Sequence, residues 1–140
     1  MIRKFFRTKP LMFFVLCLFI LSYLHLYGAG VQITVGSAQI EDTKPNGKSW
    51  DAFKGLPDPF FKVFVNGNLQ FSASVKKNTC TPEWNETFTI NYNDGDEIVL
   101  EVFDEDGVSN DLIGRWKSNK LPDGEISHGS FRNLQISVKQ

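Results

Sequence analysis

The sequence is poor in the residues that most reactive sites and covalent frameworks need. It has two cysteines and two histidines in 140 residues. Cys17 lies in an apolar run and Cys80 in a polar stretch, so no disulfide framework is possible, and Cys80 is expected to be a free, partly buried thiol. No CxxC pair or Cys/His cluster offers a zinc site. His128 has no serine or cysteine nucleophile in a recognisable context, and no other catalytic arrangement is present, so the chain is not expected to be an enzyme. After Gly30 no stretch has a 3.6-residue apolar period, which excludes a helical body. Repeats and low-complexity tracts are absent. Basic excess is lacking too. The formal net charge is −1, and no acid precedes Glu41. The four charges of the first 30 residues are Arg3, Lys4, Arg7 and Lys9, leaving 11 basic against 16 acidic residues, a net of −5, in residues 31–140. An acidic body argues against nucleic acid as a partner and suits a protein that binds a cation.

Residues 1–30 are expected to form a targeting segment. Leu11 to Tyr27 is an apolar run of 17 residues behind a basic flank, followed by Gly28-Ala29-Gly30. It reads either as a cleaved signal peptide or as a hydrophobic transmembrane anchor helix. It exceeds the roughly 7–15 residues of a signal h-region and comes near the lower limit for a span, and bulky Tyr27 spoils the cleavage signal. The anchor is preferred. In both cases the basic flank stays inside and the body goes outside the cytoplasm.

The body, residues 31–140, reads as a single all-β domain. Short apolar or alternating runs recur at Val31–Ile40, Pro59–Val65, Leu69–Val75, Glu86–Tyr92, Glu97–Phe103, Leu112–Trp116 and Phe131–Val138. Turn signals separate them, at Asn66-Gly67-Asn68, Asn93-Asp94-Gly95-Asp96 and Pro122-Asp123-Gly124. This is the pattern of an antiparallel sandwich, with Trp84, Phe88 and Trp116 among its packing residues.

Two loops concentrate acid. One holds Asp51 and Asp58 around Gly55 and Pro57; the other, Asp104-Glu105-Asp106-Gly107-Val108-Ser109-Asn110-Asp111, carries three aspartates in eight residues. Asp104 and Asp106 are two apart, so in extended backbone their carboxylates point the same way. Like charges this close are tolerated if pKa values rise or a cation sits between them. Calcium takes 6–8 oxygens at flexible geometry and suits such a bowl. The second loop starts like an EF-hand, but its fifth position is Val108 and its twelfth is Arg115.

Three runs together resemble the C2 domain family. Asp58-Pro59-Phe60-Phe61-Lys62-Val63 is similar to the family's Asp-Pro-Tyr-Val-Lys-Val. Asn78 to Phe88, with Pro82, Trp84, Asn85 and Glu86, is similar to its Asn-x-x-x-Pro-x-Trp-Asn-Glu-x-Phe, and Val102 to Gly114 to its Val-x-Asp-x-Asp run. The resemblance implies an eight-stranded antiparallel β-sandwich with calcium-binding loops at one end. Its ligands would be Asp51, Asp58, Asp104, Asp106 and Asp111, with backbone oxygens of Trp50 and Glu105. Phe53, Leu56 and Val108 would be the apolar tips that meet a membrane. The implied function is calcium-dependent docking on phospholipid or another anionic partner. The alternative is a protein-interaction or scaffold domain with calcium only structural. Two spacings depart from the usual pattern: the first-loop aspartates are seven apart instead of six, and Asp111 is one residue nearer Asp106. The family's basic strand surface is reduced to Lys62, Lys76 and Lys77, which argues against strong phosphoinositide recognition. Asn85-Glu86-Thr87 fits a glycosylation acceptor but lies in the strand-forming run.

Overall fold

The computed structural model describes residues 29–51 and 55–139. The expected N-terminal hydrophobic helix and Phe53 lie outside these residues. Among the described residues no helix is long and apolar enough to cross a membrane.

Among the described residues, nine strand segments build two antiparallel sheets: β1 (Ala29–Ser37), β2 (Gln39–Ile40), β3 (Pro59–Val65), β4 (Asn68–Ser72), β5 (Glu83–Tyr92), β6 (Ile98–Asp104), β7 (Asp111–Ser118), β8 (Gly124–His128) and β9 (Phe131–Lys139). One sheet runs β4-β3-β6-β7. In the other, β9 lies between β8 and β1/β2, and β1 also pairs with β5. The resemblance implies eight strands, and the ninth segment arises from an interruption. β1 and β2 keep one register against β9, from Gln32↔Lys139 through Val35↔Ile136 to Ile40↔Phe131. They are one strand broken at Ala38. The break coincides with a bulge in which Trp84 and Asn85 of β5 oppose the single residue Gly36. Asn85 takes the left-handed conformation there (φ 51°), which asparagine tolerates.

Alternation places each side chain. In β3, Phe61, Val63 and Val65 enter the core. Phe60 and Lys62 take the outer face, where Phe60 stacks on Phe103 at 5.5 Å and the Lys62 ammonium lies over both rings. Inside, Phe61 meets Trp84 edge-on at 5.1 Å and Phe71 stacks on Phe88 at 4.0 Å. Val35, Val102, Phe131 and Leu134 are fully buried, and Trp116 packs on this core half-buried. Cys80 is a free, half-buried thiol, as expected.

The Asn66-Gly67 turn forms the two-residue β3–β4 hairpin, with φ of 49° and 78°. Gly114 has a different reason. A Cβ there would lie 2.3 Å from the His128 carbonyl oxygen and 2.8 Å from the Phe131 ring, so only glycine lets β7 pass under β8 and β9.

Candidate metal centre

The strand register brings the acidic residues to one end of the sandwich. Asp104 ends β6, the strand between β3 and β7, opposite Pro59 on one side and Asp111 on the other. Asp58 and Asp111 therefore flank it. Asp104 has no exposed surface, unusual for an acid. Its Oδ1 accepts the Asp58 N–H at 2.6 Å, while Oδ2 is buried with no hydrogen-bond partner among the described residues. Burial pushes its pKa up to about 6; the Asp58 N–H opposes this and the charges of Asp51, Asp106 and Asp58 add to it.

Asp51, Asp104 and Asp106 each bring a carboxylate oxygen within 4.8 Å of the other two. Burial and the nearby Asp111 also raise the Asp106 carboxyl. The Asp106 N–H is held by Asn110 Oδ1 at 3.2 Å.

The other expected ligands are placed differently. Asp58 Oδ1 accepts the Asn78 N–H at 2.5 Å, and its Oδ2 accepts Lys77 Nζ at 2.8 Å. Burial pulls the Asp58 carboxyl upward, but Lys77 and the Asn78 N–H outweigh it and hold it below its usual range. Lys77 also donates to Glu105 Oε2 at 2.7 Å. Asp111 is paired with Lys44, whose ammonium lies 5.7 Å from the centroid of the Trp50 ring. Trp50 is buried and donates its indole N–H to the Glu41 carbonyl at 2.7 Å. Backbone bonds tie the loops together, from Glu105 N to Asp58 O and from Thr79 N to Pro57 O. Of the expected membrane tips, Val108 is fully exposed and Leu56 partly so.

Lys44 and Lys77 are absent from the sequence expectation for this site. Nothing in their local pattern marks them, because Lys44 is 67 residues from Asp111 and Lys77 is 19 from Asp58.

This donor set fits calcium. Two oxygens on opposite sides of a calcium ion stand about 4.8 Å apart, twice a bond of roughly 2.4 Å. The three carboxylates lie within that span, the donors are all oxygen, and Asp104 Oδ2 has no partner among the described residues. No histidine or cysteine among the described residues joins them, so zinc is not favoured.

Comparisons with known proteins agree with the fold. The C2 domain family model matches residues 31–132. Mouse (Mus musculus) Ras GTPase-activating protein 4 is 39% identical over 83 residues, 56% of this chain and 10% of that protein. Mouse extended synaptotagmin-1 is 38% identical over 66 residues, 46% of this chain and 6% of that protein. The chain thus spans a tenth or less of these relatives. Among solved structures, a C2 domain superposes with a TM-score of 0.59 at 22% identity, over 79% of this chain and 98% of that one. A calcium-bound structure of two C2 domains of extended synaptotagmin 2 gives 0.58 at 22% identity, over 81% of this chain and 45% of that one.

Proposed function

The chain belongs to the C2 domain family, and from that premise we propose that it is a calcium-dependent binding module whose loop end docks on anionic phospholipid. The observation that carries this reading is Asp104: a fully buried carboxylate with one oxygen unpartnered among the described residues, facing two further carboxylates. A group in that position costs stability unless a cation meets it. Calcium, when bound, supplies a divalent charge that offsets the acidic tip and can accept phosphate oxygens.

The chain's own residues do the rest. Asp51, Asp104 and Asp106 hold the ion. The Asp58 and Asn78 backbone N–H groups fix the loops around it. Val108, fully exposed at the tip of its loop, offers an apolar contact to the interface. The calcium-bound relative of the same fold supports the assignment. We read the chain as a binder and not an enzyme, with its body outside the cytoplasm behind the apolar N-terminal run. Protease protection of epitope-tagged protein in sealed membranes tests that orientation.

Calorimetric titration of calcium into the full chain tests the metal, with thermal unfolding in parallel, since a ligand that binds only the folded state raises Tm. Heat release and a raised Tm are expected. Neither at millimolar calcium would refute the reading. Cosedimentation with phosphatidylserine vesicles, with and without chelator, tests the lipid step. Calcium binding without vesicle binding would favour the protein-partner reading.

A further inference from the structure

Two lysines stand on the acidic end of the sandwich. Lys77 reaches from the loop before β5 to Asp58 and Glu105 together, and Lys44 reaches from the loop after β2 to Asp111. We propose that these lysines are tethered counter-cations of the loops, which calcium must displace before Asp58 and Asp111 can turn toward it. This inference deepens the calcium reading above and rests on it.

The geometry divides the acids into two groups. Asp51, Asp104 and Asp106 converge on one point. Asp58 and Asp111, on either side of Asp104, are turned to ammonium groups on the chain itself. Each lysine is positioned by more than one contact. Lys77 bridges two carboxylates, at 2.8 and 2.7 Å, and Lys44 lies against the Trp50 ring as well as Asp111. Both ammonium groups are held above their usual range, Lys44 chiefly by its bond to Asp111 and Lys77 by its bonds to Asp58 and Glu105. Two consequences follow. Displacing the lysines weakens calcium binding relative to the same loops without them. Their release also leaves two free cations beside the ion, at the end that meets an anionic partner. The net change of charge on loading stays the ion's own, but part of it reaches the surface as two ammonium groups no longer masked by carboxylates.

The test compares Lys77→Met, Lys44→Met and Lys117→Met in the full chain. Lys117 pairs with Glu97 away from the loops, so its variant removes the same charge without touching the site. Calorimetry is expected to give about 2- to 5-fold tighter calcium binding for each of the first two variants, the range set by single partly exposed ion pairs, and no change for Lys117→Met. Acetic anhydride labelling read by mass spectrometry is expected to rise at Lys44 on adding calcium. Unchanged affinity in both loop-lysine variants would overturn the proposal, as would an equal gain in Lys117→Met or Lys44 labelling indifferent to calcium. Wild-type heat with unaltered variants would sink this inference alone. Absence of calcium heat in every protein would sink the calcium reading with it.

Discussion

The two ends of the sandwich use the same residue in opposite ways. At the hairpin end, Asp96 accepts the Asn66 side-chain amide and the Asn93 N–H, both at 2.8 Å. Asn66 in turn accepts the Glu97 N–H at 3.0 Å, and Asn119 donates to the Gly95 carbonyl. The Asn66 and Asn93 bonds lower the Asp96 pKa. At the loop end, Asp104 is buried, has one oxygen unpartnered among the described residues, and is raised in pKa by that burial. Asp96 is satisfied by the protein and closes its end. Asp104 is satisfied only in part by the described residues, and under the proposed function its second oxygen is the one that meets calcium. The contrast separates an aspartate that maintains a turn from one whose bonds are left incomplete, a distinction that counting acids does not make.

The largest effect that breaks the contrast is Asp104→Asn. Removing the buried charge is expected to raise the stability of the calcium-free protein by on the order of 1–2 kcal/mol. Calcium affinity is expected to fall at least ~100-fold, since a ligand charge at the centre of the site is gone. Thermal unfolding and calorimetry check the two halves. Next comes pH. The Asp104 pKa is raised on folding, so its contribution to calcium-free stability is complete below about 4 and is lost as pH rises through about 6. Calcium needs the ionised form, so its affinity moves the other way and is expected to drop about tenfold from pH 7 to pH 5. Calorimetry at the two pH values, with proton release on binding near pH 6, measures it. Asp96→Ala sharpens the comparison from the other end. It is expected to lower Tm by a few degrees, seen by thermal unfolding, and to leave calcium affinity unaltered. The smallest effect is Val108→Ser. Tm and calcium affinity are expected to stay unchanged, because the side chain is fully exposed, while vesicle cosedimentation falls.

Much of this is legible in the sequence where the physics is local. The Asn66-Gly67 hairpin, the alternation of β3 and the packing of Trp84 and Phe88 follow from backbone preference and burial. β8 is not legible. Gly124–His128 is an edge strand with only Ile126 half-buried, so it carries no apolar period. The start of β5, at Glu83-Trp84-Asn85, escapes the sequence pattern because the inward position after Trp84 holds the polar Glu86, so the apolar alternation shows only from Phe88 on. The loop aspartates are recognisable by composition and by family resemblance. Their division into a convergent trio and two lysine-held acids is not, since it depends on partners brought together by the sheet register. The longer spacing of the first loop does not remove Asp51, which stands in the trio.

The position of β9 has a consequence for how the molecule is made. Residues 131–139 occupy an inner place of their sheet, beside the strand that begins at residue 29. As the chain emerges from the ribosome, β1 can find β5, but Ile40 and Leu134 have no completed sheet to enter until the last strand is free. Closure is therefore a late event that joins distant parts of the chain, and the half-made sandwich exposes strand edges and apolar faces in the meantime. A nascent chain stalled before Phe131 is the form most open to aggregation and to chaperone capture.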